Sequence, residues 1–165
     1  MARTNDDRAD ADRSRRRHIG IDIPGAPVGT LLLQVIRAHA RVGTALLNAA
    51  GVPPPHEIIL FYVHEHGPVP QTELVRYLTR DRSTVTATLQ AMERAGLIVR
   101  TPSPSDKRAM IVDLTDKGRE AVPRAKAAWR ELEHRTTRTL TRAQRAALVA
   151  ALTVVRDALN DEPVD

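Results

Sequence analysis

Lys107 and Arg108 stand in the stretch SPSDKRAMIVDLTDKG, just ahead of the apolar run Met110-Ile111-Val112. Two cations at the mouth of a strand-like run are placed to meet an anion. A second group with chemical capacity precedes them. Arg82, Ser83, Thr84, Thr86, Ala87 and Gln90 alternate with Val85, Leu89 and Met92 at helical spacing. With the three apolar residues turned inward, the others lie on the opposite side or at the helix N-terminus. Their side chains can read base edges. Arg bonds guanine O6 and N7, Gln bonds adenine, and an Ala or Thr methyl meets the thymine methyl. A helix N-terminus can also receive phosphate.

Covalent chemistry finds no comparable footing. The sequence has no glycine-rich phosphate loop, nucleophile elbow or zinc-protease motif, so no enzyme activity and no cofactor are expected. It has no cysteine, which excludes disulfides, thiolate zinc sites and Fe–S clusters. Among its six histidines, His64-Glu65-His66 is the densest cluster. Positions i and i+2 of a helix point to different sides, so zinc would need His39 or His56 to converge from elsewhere. No metal is expected.

The formal net charge is +5, which implies an acidic partner such as nucleic acid or anionic lipid. No apolar run approaches the ~20 residues of a membrane span, and the start lacks the apolar stretch of a secretory signal. A cytoplasmic protein is expected. Apolar residues make up 42% of the chain and aromatics only 2%, so the core must be aliphatic, which favours helices.

Several elements must position the two reactive groups. Residues 1–23 read as a disordered leader mixing Arg and Asp, with a basic cluster at Arg15, Arg16 and Arg17. Residues 24–165 form the domain proper. The spacing of Val28, Leu32, Val35, His39, Val42 and Leu46 predicts a helix over 27–50, ended by Gly51. After Pro53-Pro54-Pro55 a second helix carries Ile58 to Val63, and Gly67-Pro68 stops it. Leu74, Val75 and Leu78 predict a short helix. A tight connection at 79–81 leads to a longer one over 82–95, closed by Gly96. Two short helices joined by a tight turn make a helix-turn-helix pattern. Strand-like runs at 97–100 and 110–114, with a turn-rich loop between them, append a hairpin to it. That hairpin is a wing, and Lys107 and Arg108 ride near its tip.

Thr115 is placed to cap a helix over 116–138, in which Pro123 predicts a kink near 119–123. Thr141 and Gln144 form a capping box for a last helix carrying Leu148, Leu152, Val155 and Leu159. The expected fold class is mainly α with a small β-hairpin wing (α+β). A winged helix-turn-helix unit at 55–115 lies between long helices at 27–50 and 116–160.

The stretch DRSTVTATLQAMERAGLIVRTPSPSDKRAMIVDLTDKG resembles the MarR family of winged helix-turn-helix transcription regulators. The resemblance is carried by Met92-Glu93-Arg94-Ala95-Gly96-Leu97-Ile98, then Arg100, then Asp106-Lys107-Arg108, then Leu114-Thr115-Asp116-Lys117-Gly118. It implies a sequence-specific, DNA-binding homodimer on a near-palindromic operator, most simply a repressor released by a small, often phenolic effector. It implies that Arg108 enters the minor groove, where narrow A·T-rich tracts attract arginine. It gives Asp106 the role of bracing the wing by pairing with an arginine. Lys107 is expected on phosphate. Arg80, Arg94 and Arg100 are open to either phosphate or internal partners.

The family dimerises through its first and last two helices. Here that points to Leu32, Val35, Leu132, Leu148, Leu152, Val155 and Leu159. Effectors in the family lie between the dimer helices and the wing domain, which makes His39, His64 and Trp129 pocket candidates. The alternative from another class is a basic architectural protein that binds double-stranded DNA without sequence preference.

Overall fold

The computed structural model describes residues 21–106 and 109–162. Lys107, Arg108 and nearly all of the leader, with its arginine cluster, lie outside the described residues. The described chain contains α1 (Pro27–Ala49), α2 (His56–His66), β1 (Val69–Pro70), α3 (Gln71–Leu78), α4 (Arg82–Arg94), β2 (Ile98–Pro102), β3 (Met110–Leu114), α5 (Asp116–Thr137) and α6 (Arg142–Asn160). This is the mainly helical fold with a small sheet that the periodicity predicts. The chain divides into two compact units, Met1–Arg41 and Val42–Asp165.

In the first unit the segment before α1 is tied to the helix it precedes. Thr30 Oγ1 accepts the Ile23 N–H at 3.0 Å, and Gln34 Nε2 donates to the Ile21 carbonyl at 2.8 Å. The apolar stripe of this unit is largely uncovered: Val28, Leu31, Val35 and Ile36 are exposed and Leu32 is half-buried.

The second unit holds the aliphatic core. Ile59, Leu60, Leu74, Leu89, Met92 and Val112 are fully buried, and no aromatic side chain joins them at the centre. α2 packs against α5, whose Ala121, Ala125 and Ala128 present small buried side chains. Small residues let two helix backbones approach, and dispersion then accumulates over many contacts. Pro123, expected to kink α5, sits on its exposed side in a helix that runs without interruption from Asp116 to Thr137.

The sheet has the order β1-β3-β2, antiparallel throughout. In the hairpin Ile98 faces Leu114, Arg100 faces Val112 and Pro102 faces Met110. β1 was not foreseen. It has only two residues, Val69 and Pro70, paired with Val112 and Ile111. Two residues carry no readable alternation, and a proline is tolerated there because β1 is an edge strand.

Burial within one chain corrects one expectation. Leu132, placed at a dimer surface by the family resemblance, is only 3% exposed. It packs toward Gly43, where an added Cβ would come 3.0 Å from Leu132 Cδ2. α6 is the opposite case. None of its 19 residues is buried, and Leu148, Val149, Leu152, Val154 and Leu159 are exposed.

Candidate nucleic-acid interface

α4 begins at a strong cap. Asp81 is extended and accepts the Thr84 N–H at 2.8 Å. Its carboxylate also accepts the hydroxyl protons of Ser83 and, at 2.6 Å, of Thr84. These bonds, from Ser83 first and then Thr84, hold the Asp81 carboxyl well below the usual carboxylate range. The helix N-terminus is thereby occupied by a fixed negative charge. Phosphate capture there, admitted by the sequence, would set two anions together.

α4 ends in a Schellman arrangement. The Leu97 N–H bonds the Met92 carbonyl and the Gly96 N–H bonds the Glu93 carbonyl, each at 2.9 Å. Gly96 has φ 71°, the left-handed value that turn requires. The phrase Leu114-Thr115-Asp116-Lys117-Gly118 then clamps this end. Thr115 Oγ1 donates to the Gly96 carbonyl at 2.6 Å and accepts the Gly118 N–H at 3.0 Å, capping α5. Lys117 Nζ donates to the Ala95 carbonyl at 2.7 Å. At Gly118 a Cβ would lie 2.0 Å from the Leu97 carbonyl oxygen, so the backbone crossing admits only glycine.

Between these ends the outward face of α4 carries Ser83, Ala87, Gln90 and Arg94, all exposed. Arg82 is exposed on the flank toward the wing, and Thr84 on the other flank. Thr86 is half-buried. Its hydroxyl accepts from Gln71 Nε2 at 2.9 Å and donates to the Arg82 carbonyl at 2.8 Å, which ties α3 to α4. The six sequence-predicted residues of this helix therefore lie together around one accessible side.

The wing stands beside that side. Arg100, on β2, donates from Nε at 3.0 Å and Nη2 at 2.6 Å to Glu93 Oε2 on the last turn of α4. This is an internal pair, which settles one of the two roles left open for Arg100. The Arg100 guanidinium keeps the Glu93 carboxyl below its ordinary range. At the tip the Ser103 N–H bonds the Ala109 carbonyl at 2.8 Å, and the Ala109 N–H bonds the Asp106 carbonyl at 2.9 Å. Asp106 is exposed at this turn. α3, α4 and the wing enclose an open groove of about 670 Å³, lined by Gln71, Val75, Arg76, Arg82, Thr86 and Arg100 among others.

Sequence reasoning missed Asp81, Gln71 and the Glu93–Arg100 pair. Asp81 had a local signal, because Asp is a favoured N-cap and Thr84 follows three residues later. Gln71 and the ion pair join residues on different elements and had none. Glu57 was also missed. It is 3% exposed, its Oε2 accepts no hydrogen bond, and burial pushes its carboxyl up. The pocket candidates sit apart in the sequence of elements: His39 half-buried on α1, His64 exposed on α2 and Trp129 37% exposed on α5. Among the described residues no three His, Asp or Glu side chains group as metal ligands, and no helix is long and apolar enough to cross a membrane.

Known proteins share this arrangement. A model of the MarR family matches residues 54–110, the helix-turn-helix and most of the wing. The HTH-type transcriptional repressor IacR of Pseudomonas putida is 31% identical over 122 residues, covering 72% of this chain and 73% of IacR. The chain belongs to the MarR family. Its fold superposes on a mutant MarR from E. coli complexed with operator DNA, with a TM-score of 0.72 and 25% identity, covering 78% of this chain and 93% of that one. It also superposes on the transcriptional repressor CouR bound to a 23-mer DNA duplex. There the TM-score is 0.69 and the identity 33%, covering 83% of this chain and 99% of CouR. The family is one of transcriptional regulators. The phrase Leu114-Thr115-Asp116-Lys117-Gly118, on which the resemblance partly rested, has a mechanical meaning here, since it anchors the end of α4 to the start of α5.

Proposed function

We propose that this chain is a cytoplasmic homodimeric repressor that reads a near-palindromic operator and is released by a small phenolic or aromatic effector. The observation that carries the reading is the exposed side of α4, fixed at both ends and tied to the wing by Glu93 and Arg100. Such a helix lies in the major groove with its N-terminal residues against base edges. Arg82, Ser83, Thr84, Thr86, Ala87 and Gln90 supply that readout. Lys107 meets phosphate, Arg108 the adjacent minor groove, and Asp106 holds the wing tip.

Dimerisation is supported by α6. A 19-residue helix with no buried residue and several exposed aliphatics is not stable against water alone. Leu148, Leu152, Val155 and Leu159 take a partner's matching surface, joined by Leu32 and Val35. Leu132 stays inside its own chain. IacR, MarR and CouR support the repressor reading by what their names and complexes state of them. Effector release rests on the family resemblance, with His39, His64 and Trp129 as its candidate contacts.

The deciding experiment is a gel-shift titration against the DNA upstream of the chain's own gene, with scrambled competitor, run beside sedimentation of the free protein. Resistance to scrambled DNA and a dimeric mass are expected. Equal competition by scrambled DNA, with a steep salt dependence, would favour the architectural alternative.

A further inference from the structure

The hydroxyl groups on α4 have already given away their protons. Ser83 and Thr84 donate to the two oxygens of Asp81, Thr86 donates to the Arg82 carbonyl and Thr88 to the Thr84 carbonyl. A hydroxyl that has donated can still accept, and Thr86 has spent one lone pair on Gln71 as well. The face therefore offers acceptors (Ser83, and Thr84 on its flank) and methyl groups (Ala87, Thr84). Only Gln90 both donates and accepts there. The guanidinium groups of Arg82 and Arg94 stand at the two ends.

In the major groove guanine shows two acceptors and no donor. Adenine shows a donor at N6, cytosine a donor at N4, and thymine its C5-methyl. Lone pairs facing guanine O6 and N7 repel, whereas the same lone pairs accept from adenine N6 or cytosine N4. Resting on the DNA-reading function above, we infer that Asp81 sets the base preference of α4: adenine or cytosine facing Ser83 and Thr84, thymine facing Ala87, with guanine admitted only within reach of the donors Arg82, Gln90 and Arg94. Asp81 touches no base in this account. It is a positioning residue that fixes the direction of two hydroxyl protons.

The test is selection of binding sites from randomised duplexes by the full chain. It is followed by replacement of each half-site thymine with deoxyuridine, which lacks the C5-methyl. That methyl lies in the major groove, so its loss reports on α4 and not on a wing in the minor groove. Selected half-sites should exclude guanine facing Ser83 and Thr84 and carry thymine under Ala87, where deoxyuridine should weaken binding about fourfold. Asp81→Asn supplies the second arm. Asparagine still caps a helix, but it accepts through one oxygen and frees a hydroxyl proton. Sites selected by Asp81→Asn should admit guanine where the native chain rejects it, with helicity unchanged. Native selection of guanine facing Ser83 and Thr84, indifference to deoxyuridine, or an unchanged preference in Asp81→Asn would overturn the inference while leaving DNA reading intact. Failure to enrich any sequence would overturn the function itself, and this inference with it.

Discussion

Arg100 on the first wing strand places two nitrogens on a single oxygen of Glu93, at 3.0 and 2.6 Å, joining the wing to the last turn of the reading helix. The pair ties together the two parts that the proposed function sets in adjacent grooves. Its worth is geometric more than energetic, because Glu93 is 38% exposed and such pairs contribute only about 0–1 kcal/mol. Glu93→Ala should therefore lower operator affinity about tenfold, which corresponds to roughly 1.4 kcal/mol, while shifting the melting temperature by only a few degrees. Fluorescence anisotropy and thermal melts on the same sample separate the two. A double-mutant cycle with Arg100→Ala should show strong coupling in binding and weak coupling in stability.

Asp81 makes stability depend on pH with a definite sign. Its carboxyl is depressed in the folded chain by the Ser83 and Thr84 bonds. Its contribution is then fully present above its unfolded value of about 3.9 and is lost as pH falls through the lower folded value. Asp81→Ala should melt below the native chain by a constant margin from neutral pH to about pH 5, and the margin should narrow in more acid solution. Melting curves across that range check it. Asp81→Asn should stay close to the native chain at neutral pH, since asparagine caps equally well.

Gly118 has no substitute. With a Cβ 2.0 Å from the Leu97 carbonyl oxygen, Gly118→Ala must move either the start of α5 or the entry to the wing. The expected loss reaches or exceeds the upper end of the ~1–3 kcal/mol typical of overpacking. Urea unfolding should show it, and operator binding should fall with it. Thr115→Ala, which removes a cap and the bond to the Gly96 carbonyl without a clash, should cost about 1 kcal/mol.

Much of this fold was legible because its signals are local. Thr115, Gly96 and the Thr141–Gln144 box do in the structure what their types and spacing announce. β3 keeps its expected bounds, while β2 runs on through Pro102 because pairing with Met110 extends it. The remainder depended on tertiary placement. Whether Arg100 met phosphate or a carboxylate turned on where β2 passes the end of α4. Whether Leu132 faced a partner or its own chain turned on Gly43, far away in sequence. An apolar position at helical spacing looks the same in both cases. The side of α4 was readable from period alone, but the direction of its hydroxyl protons was not, because Asp81 lies outside the helical pattern.

Arg108 and Lys107 should differ in how they affect binding. Arg108→Ala should weaken operator binding at least about tenfold, most at A·T-rich flanks, and leave thermal stability nearly unchanged. Lys107→Ala should weaken all sequences alike and reduce the slope of log affinity against log salt by about 0.9 for one lost phosphate. Titrations at several salt concentrations distinguish the two. A large loss of stability in Arg108→Ala with intact affinity would make that residue structural.

The most direct measurement is a hydroxyl-radical footprint of the full chain on its selected operator, with bound stoichiometry read from the same complex. The account predicts two protomers and two protected patches whose centres lie about 34–36 Å apart, one helical turn along the duplex, flanked by narrower protections from the wings. A single patch from one protomer, or even protection along the whole duplex, would contradict it.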